Sequence, residues 1–499
     1  MAKLIGMKER MKLGDFWFFC ILGIALVCVY YFGQTPELNH REIIIFVSTT
    51  IVLFVLLGLK IWSNIENHNF AFVFLIAVGV LSMMIQPILN IPDETVHFAR
   101  AEWVSRGNVI ADFDKQEYET IQSVLDLEAN VKKSYDASSI KDQKINNTTK
   151  KIDYIAEGNI VFLYLPQAIG VLIAKILQLD VIWMLWLARL GNLLCYALGI
   201  GLAVKMAPKW KFPIFFVSAL PMSIQQAASC SPDAMINASA LLLIAYFLLL
   251  YCSNEKKITR KELLVFGVLA LIVTIFKVTN IFIAGLILLV PLDNFHSKGK
   301  GILSKCMVVL GAVLVGGVYY WYTTLFPSNP SHVAYFETAN VNSAEQIQYI
   351  LTNFGKWFRE FGVASLGNFE SYMGMLGSFG WVEYGSYLIP IITTFMFAKI
   401  CFQESGVCLS RVNKFLIFLM VIGIYCASCV AMYISWTPVG SNGILGVQGR
   451  YFIPMIALMT LLFSSSHGVQ DSQQKHIGDV ITMLGMNGAM LIATATRYY

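Results

Sequence analysis

Charge is what this sequence has least of. Only 13% of its 499 residues are Asp, Glu, Lys or Arg, about half the ~25% of an ordinary soluble protein. That leaves too little polar surface to wrap a water-soluble globule, and 57% of the residues are hydrophobic. There is no basic domain with interleaved aromatics, and the net charge is only +5, which argues against nucleic acid as a partner. The ten cysteines lie almost entirely in or beside apolar runs and suggest no disulfide framework. Cys426 and Cys429 read as small packing residues within an apolar helix rather than as a redox or metal pair. No signal-cleavage pattern follows the basic, then apolar, amino terminus, so the first helix is expected to stay. Internal repeats, low-complexity tracts and an appended soluble domain are all missing. So are the alternating segments of about ten residues from which a membrane β-barrel is built.

What is present is a series of continuous apolar runs, many near the ~20 residues that a membrane helix needs. They cover 16–33, 43–61, 70–90, 160–178, 181–204, 212–230, 233–252, 263–276, 279–293, 302–326, 386–403, 414–435, 451–466 and 478–496. This predicts an all-α fold: a polytopic transmembrane helix bundle occupying 1–499 as a single domain, in contact with membrane lipids. Two polar stretches interrupt it, at 92–158 and 327–385. Lys3, Lys8, Arg10 and Lys12 place the amino terminus in the cytoplasm by the excess of basic residues on that side. Three crossings then put 92–158 outside. If 160–178 crossed fully, Lys205, Lys209, Lys211 and the cluster Lys256, Lys257, Arg260 and Lys261 would also lie outside. Treating 160–178 as interfacial returns them to the cytoplasm. The expectation is therefore about thirteen crossings, a large first extracytoplasmic loop over 92–180 with interfacial helices, and a second over 327–385. The carboxyl terminus then ends outside.

The sharpest polar feature is Pro92-Asp93-Glu94-Thr95-Val96-His97-Phe98-Ala99-Arg100. Pro92 suits the first helical position, and Asp93 and Glu94 suit a helix start. On that helix Asp93, His97 and Arg100 share one side. A carboxylate there can accept a proton from an attacking hydroxyl or hold a divalent cation. If a metal takes part, Asp93 and Glu94 are its candidate ligands. The same residues also fit a capped interfacial helix with ion pairs. Ser229-Cys230-Ser231-Pro232-Asp233 is the second feature. Asp233 entering a membrane helix needs water or a partner, although Ser231 or Asp233 can also simply cap the next helix. The third is Gly446-Val447-Gln448-Gly449-Arg450-Tyr451, where Arg450 can snorkel to headgroups or grip a phosphate with its fork of donors. Lys277 interrupts a long apolar stretch and needs water or an anion. Arg189 reads as an internal pair or polar lining residue. Gly380-Trp381-Val382-Glu383-Tyr384 fits an aromatic belt at the membrane interface. Asn146 and Asn147 begin sequons in the first large loop.

Taken together, these motifs resemble the GT-C class of polytopic glycosyltransferases. They resemble more closely a bacterial family of predicted membrane proteins associated with cell-surface polysaccharide synthesis. The carriers are Pro92-Asp93-Glu94 with His97, Tyr164-Leu165-Pro166-Gln167, Ser229 to Asp233, Phe379 to Glu383 and Gln448 to Tyr451. They run in order over about 90–455. Glu383 departs from the pattern, which has Asp at that place. The resemblance implies a GT-C-like fold, a loop carboxylate near the acceptor (Asp93 or Glu94) and a second acidic site at Asp233.

The expected activity is inverting glycosyl transfer on the outer face, from a polyprenyl-phosphate sugar to a cell-surface glycan or lipid-linked acceptor. Asp93, or else Glu94, would be the base, with His97 orienting a carboxylate or sharing the proton. Arg450 and Lys277 would stabilise the leaving phosphate. Arg100, Asp233, Gln448 and Tyr451 would complete substrate binding. The rival readings are a transporter or flippase, a polymerase of lipid-linked precursors, and a non-catalytic assembly partner. A transporter would carry its ionisable groups near the membrane midplane and often show inverted repeats; here the polar residues cluster at one face.

Overall fold

The computed structural model describes residues 2–33, 40–63, 65–110, 117–253, 257–326, 330–379, 387–403, 407–464 and 476–499. It opens with α1 (Ala2–Gly33), α2 (His40–Trp62) and α3 (Asn67–Ile85). A long excursion then holds α4 (Glu94–Ser105), β1 (Tyr118–Ile121), α5 (Gln122–Glu128), β2 (Thr149–Ile152) and α6 (Leu165–Ile176). The chain returns through α7 (Val181–Met206), α8 (Lys211–Ser218), α9 (Pro221–Ala227), α10 (Asp233–Tyr251) and α11 (Arg260–Phe276). A 3-10 helix over Val278–Leu289 comes next, then α12 (Lys298–Thr323), α13 (Pro330–Ala339), α14 (Ser343–Thr352) and α15 (Phe354–Gly374). The last helices are α16 (Leu388–Gln403), α17 (Arg411–Trp436), α18 (Ile453–Leu462) and α19 (Ile477–Tyr498).

The chain is thus a multi-pass helical membrane protein. Among the described residues seven helices (α2, α3, α7, α10, α12, α17 and α19) are long and apolar enough to cross a bilayer. The other expected crossings are shorter or broken, for identifiable reasons. The run 212–230 divides at Pro221, which cannot donate to the preceding turn and instead begins α9. The apolar stretch around Lys277 divides because that residue is extended, with φ −157° and ψ 108°. Beyond Lys277 the chain winds as a 3-10 helix. The run 160–178, expected to be interfacial and not a crossing, yields the 12 residues of α6, about 18 Å of helix against a hydrocarbon core of roughly 30 Å.

Helix α6 is amphipathic. Ile169, Leu172, Ile173 and Ile176 are exposed, while Gln167, Ala168, Val171 and Ala174 are buried. It packs on α7 backbone to backbone. A Cβ on Gly170 would sit 2.0 Å from the Leu187 carbonyl oxygen, and one on Gly191 would sit 2.2 Å from that of Pro166. Only glycine permits that approach.

The first excursion departs from the all-α expectation by a two-stranded antiparallel ribbon, β1 with β2, in the register Tyr118↔Ile152. Its inward side chains, Tyr118 and Ile121, join Phe98, Leu127, Val171 and Leu185 in a small hydrophobic core of their own. The stretch 327–385 is more than a loop. In it Gln346 of α14 donates to the Tyr433 carbonyl, and Tyr425, in the middle of α17, donates to the Ser365 carbonyl. Helix α15 therefore reaches well down the side of α17 and brings Tyr372 and Met375 towards the 449–452 segment.

Contacts sort the connections into two ends. At one end Asn90 bonds Tyr498, Arg41 pairs with Asp136, and Tyr319 donates to the Gly158 carbonyl. At the other end Lys60 bonds Asn67, Asn294 donates to the Leu250 carbonyl, and Lys414 donates to the Ser464 carbonyl. The first excursion, the turn 229–233, Lys277 and the segment 446–451 all belong to the first end.

Candidate functional site

The site begins where α3 stops. Its last carbonyls would be unpaired at a helix C-terminus, and Arg189 of α7 takes them up. Its Nη1 donates to the Met83 and Gln86 carbonyls at 3.0 and 3.2 Å, and its Nη2 to that of Pro87 at 2.9 Å. The same guanidinium grips Glu94 with Nε–Oε1 at 2.8 Å and Nη2–Oε2 at 2.6 Å. Glu94 also accepts from the Cys230 amide at 3.0 Å. Both side chains are fully buried. One carboxylate thus ties together the end of α3, the start of α4, α7 and the turn 229–233.

A second tie comes from Asn192, one turn along α7. Its amide donates to the Ser229 and Ser231 carbonyls at 2.7 and 2.9 Å and accepts from Gln167 of α6 at 3.0 Å. The Ser-Pro-Asp turn is therefore fixed from below. Asp233 makes no side-chain cap on α10. Its carboxylate faces Arg450 instead.

Sequence reasoning placed Asp93, Glu94, His97 and Arg100 together along one helix. The structure separates them. The helix starts at Glu94, with Asp93 just before it in the left-handed region at φ 62° and ψ 10°. A non-glycine residue is uncommon there and the conformation costs energy. This turn sends Asp93 and Glu94 opposite ways: Glu94 inward to Arg189, Asp93 to a cavity, its side chain 46% exposed. Arg100 is buried beneath α4, stacked over Trp103 at 4.6 Å and reaching the Asn159 carbonyl at 3.4 Å. It does not line the cavity. The guanidinium that meets Asp93 comes from the far end of the chain: Arg450 Nη2 lies 2.5 Å from Asp93 Oδ2.

Arg450 organises the cavity. Its Nη1 is 3.4 Å from Asp233 Oδ2 and donates to the Pro92 carbonyl at 3.2 Å. Its Nε is buried without a partner. Lys277 lies over the ring of Tyr451 at 3.8 Å, with Asp233 and Arg450 as its charged neighbours. Among the described residues Lys277 makes no salt bridge. Asp93, Asp233 and Arg450 thus meet at one wall, and Gln448 and Tyr451 line the same space, whereas Lys277, though beside Tyr451, does not line it.

The cavity measures 860 Å³ and is lined also by His97, Tyr154, Asn159, Met222, Gln226 and Trp436. That is the size of a small-molecule site. Its imidazole, His97, is held through Nδ1 by the Tyr164 hydroxyl at 2.9 Å, and that hydroxyl accepts from Asn159 at 2.9 Å. A hydroxyl that accepts from Asn159 has its own proton to give to Nδ1, which leaves Nε2 carrying the ring proton. Burial pushes the His97 pKa down to about 4, against the pull of Asp93 and with the push of Arg450. The ring is neutral at physiological pH.

The Asp93–Glu94 pair does not fit a divalent cation. Glu94 spends its oxygens on Arg189 and the Cys230 amide, Asp93 faces a guanidinium, and the two point apart. Among the described residues no group of three or more His, Cys, Asp or Glu is arranged to hold a metal ion.

Several residues that line or support the cavity escaped the sequence reading. Asn192 could have been found from the spacing Arg189-x-x-Asn192, two polar residues on one face of an apolar helix. Tyr154, Gln226 and Trp436 give no signal of their own, being ordinary members of a loop and of apolar runs. The Gly380-Trp381-Val382-Glu383-Tyr384 motif lies outside the described residues.

Comparison with known proteins bears on this site. A family model described as a predicted membrane protein, DUF2142, matches residues 74–459. A search of the curated proteins returns no match. Among solved structures, the crystal structure of ArnT from Cupriavidus metallidurans bound to undecaprenyl phosphate aligns with 85% of this chain and 75% of its own. The identity is 14% and the TM-score 0.33, too loose a likeness to carry an argument.

Proposed function

The chain belongs to the predicted membrane protein family DUF2142, and from that premise we propose that it is a membrane glycosyltransferase of the GT-C kind, transferring a sugar from a polyprenyl-phosphate donor to a glycan acceptor outside the cell. The observation that carries this is Arg450. It is a buried guanidinium set between Asp93 and Asp233 with Nε unpartnered, beside Lys277, on the wall of a cavity in a membrane-embedded bundle. A guanidinium with an unsatisfied donor and a lysine close by suit a phosphate. A carboxylate beside them, on a strained turn and open to the cavity, suits a base. The basic residues Lys60, Lys205, Lys211, Lys257 and Lys414 sit at the opposite end, which supports an exterior site by the bias of basic residues to the cytoplasm.

In this reading the lipid phosphate draws Arg450 away from Asp93, with Lys277 as a second positive charge nearby. Asp93 then accepts the proton of the acceptor hydroxyl as its oxygen bonds to the anomeric carbon. The bond from that carbon to the phosphate oxygen breaks, configuration inverts, and the polyprenyl phosphate leaves with its new charge facing the two cations. Glu94 acts only through the clamp that holds Asp93 in place.

The test is purified protein in lipid nanodiscs supplied with radiolabelled polyprenyl-phosphate sugar and a glycan acceptor. Labelled product together with free polyprenyl phosphate supports the reading. Intact donor recovered on the other leaflet would point to a flippase instead.

A further inference from the structure

The charged side chains that line the cavity are Asp93, Asp233 and Arg450, and they form one cluster. Beyond it, every described lining side chain is uncharged. His97 belongs to that neutral part: Tyr164 occupies its Nδ1, and the neutral ring has only Nε2 left to offer. Tyr154 and Trp436 supply aromatic faces and Gln448 a further amide.

Gln226 stands apart among these. It lies on α9, one helical turn from Met222, and both residues line the cavity. Its side chain is wholly buried, and neither the amide nitrogen nor the amide oxygen has a hydrogen-bond partner. A buried amide left unpaired is costly, and native proteins keep few of them. One that offers both a donor and an acceptor at a cavity wall matches a hydroxyl, which can accept from the first and donate to the second.

We propose that the sugar carried into this cavity is an uncharged hexose and that the Gln226 amide reads one of its hydroxyls. The inference rests on the polyprenyl-phosphate reading and adds to it the class of sugar. A hexuronic acid would bring its carboxylate either against a wall with no cation or into competition with the phosphate for Arg450 and Lys277. A site built around a hydroxyl also rejects an analogue that lacks it far more strongly than an apolar site would.

The experiment measures equilibrium binding to the full-length protein in nanodiscs. The probes are free polyprenyl phosphate, its glucose, galactose and mannose conjugates, and its glucuronic acid conjugate, all on one lipid. At least one neutral conjugate is expected to bind tenfold or more tighter than free polyprenyl phosphate, and the glucuronic acid conjugate no tighter than it. Gln226→Met, which keeps the side-chain volume, is expected to abolish the tenfold increment and leave free polyprenyl phosphate unchanged. The proposal is overturned if the glucuronic acid conjugate binds as well as the best neutral one. It is equally overturned if Gln226→Met keeps the increment or weakens the free lipid to the same degree. Should Gln226→Met fail to fold, the comparison of neutral and acidic conjugates on the native chain still decides. Failure of free polyprenyl phosphate to bind the native chain at all sinks the phosphate reading itself, and this inference with it.

Discussion

Glu94 and Arg189 lie 95 positions apart and form a two-pronged ion pair from which water is excluded. Their neighbours show what the pair is for. It closes the end of α3, starts α4 and anchors the amide of Cys230, so the two acidic loops of the site are set by one contact.

Breaking that contact from one side leaves a buried charge without a partner, which costs about 3–5 kcal/mol. Glu94→Ala is therefore expected to lower the melting temperature in detergent sharply. Glu94→Gln combined with Arg189→Met removes both charges and should recover part of the loss. A Glu94→Ala protein as stable as the native chain would show that the pair is not buried as described.

Asp93 separates backbone from chemistry. Asparagine tolerates the left-handed region and alanine does not. Asp93→Asn should fold normally and lose transfer by about a hundredfold or more. Asp93→Ala should lose transfer equally and in addition lose about 1–2 kcal/mol of stability. Rates and thermal melts of the two variants check this together. Full transfer by Asp93→Asn removes the base assignment.

Arg450 is expected to act through geometry as well as charge. Arg450→Ala should slow transfer by about 10²–10³-fold, and Arg450→Lys should not restore it, since one ammonium cannot reach Pro92, Asp93 and Asp233 in the arrangement of a planar fork. Lys277→Met should weaken donor binding more than it slows turnover of bound donor. Initial rates over a range of donor concentration separate the two effects. Unchanged donor affinity in both variants would reduce these cations to membrane anchors.

His97 sets an acid limit. An unfolded histidine binds its proton below about pH 6.5. The folded ring resists protonation until about pH 4, because of its burial first and the nearby Arg450 besides. Between those values the unfolded chain holds the proton and the folded chain does not, so stability falls as pH drops from about 6.5 towards 4, by at most about 3 kcal/mol. His97→Gln should flatten that part of the profile of melting temperature against pH. A native profile equally steep after the substitution would place the acid sensitivity elsewhere.

Gly191 tests how α6 holds the site. An alanine there meets the Pro166 carbonyl oxygen at 2.2 Å, so α6 must move. The expected cost is about 1–3 kcal/mol, with loss of activity beyond it, because Gln167 and Tyr164 at the start of α6 hold Asn192 and His97. Gly191→Ala with full activity would mean that α6 can shift without disturbing the site.

The local grammar of the sequence reached far. Apolar runs disclosed the membrane helices, and basic residues grouped the loops by end. The motifs carrying Asp93, His97, Asp233, Gln448 and Arg450 do converge on one cavity. Ordering by charge also kept 160–178 out of the crossings, and the structure gives it a helix of 12 residues. The fine roles were less legible. Asp93 and Glu94 read as twin carboxylates because side-by-side residues look alike until the backbone angle between them is known. Arg100 looked like the natural partner of Asp93 because helical spacing is the only neighbour relation that a sequence displays.

By itself, then, the chain's composition and patterning determined a polytopic helical membrane protein with its singled-out polar motifs gathered at one end, since lipid tolerates polar groups only where they find water or each other. Tertiary structure alone decided which of those groups meet. Arg450 reaches Asp93 across 357 positions, Arg189 withdraws Glu94 from the cavity, and Gln226 arrives from a buried helix. These are long-range contacts, fixed by how helices pack and by a single left-handed turn, and no local pattern of residues encodes them.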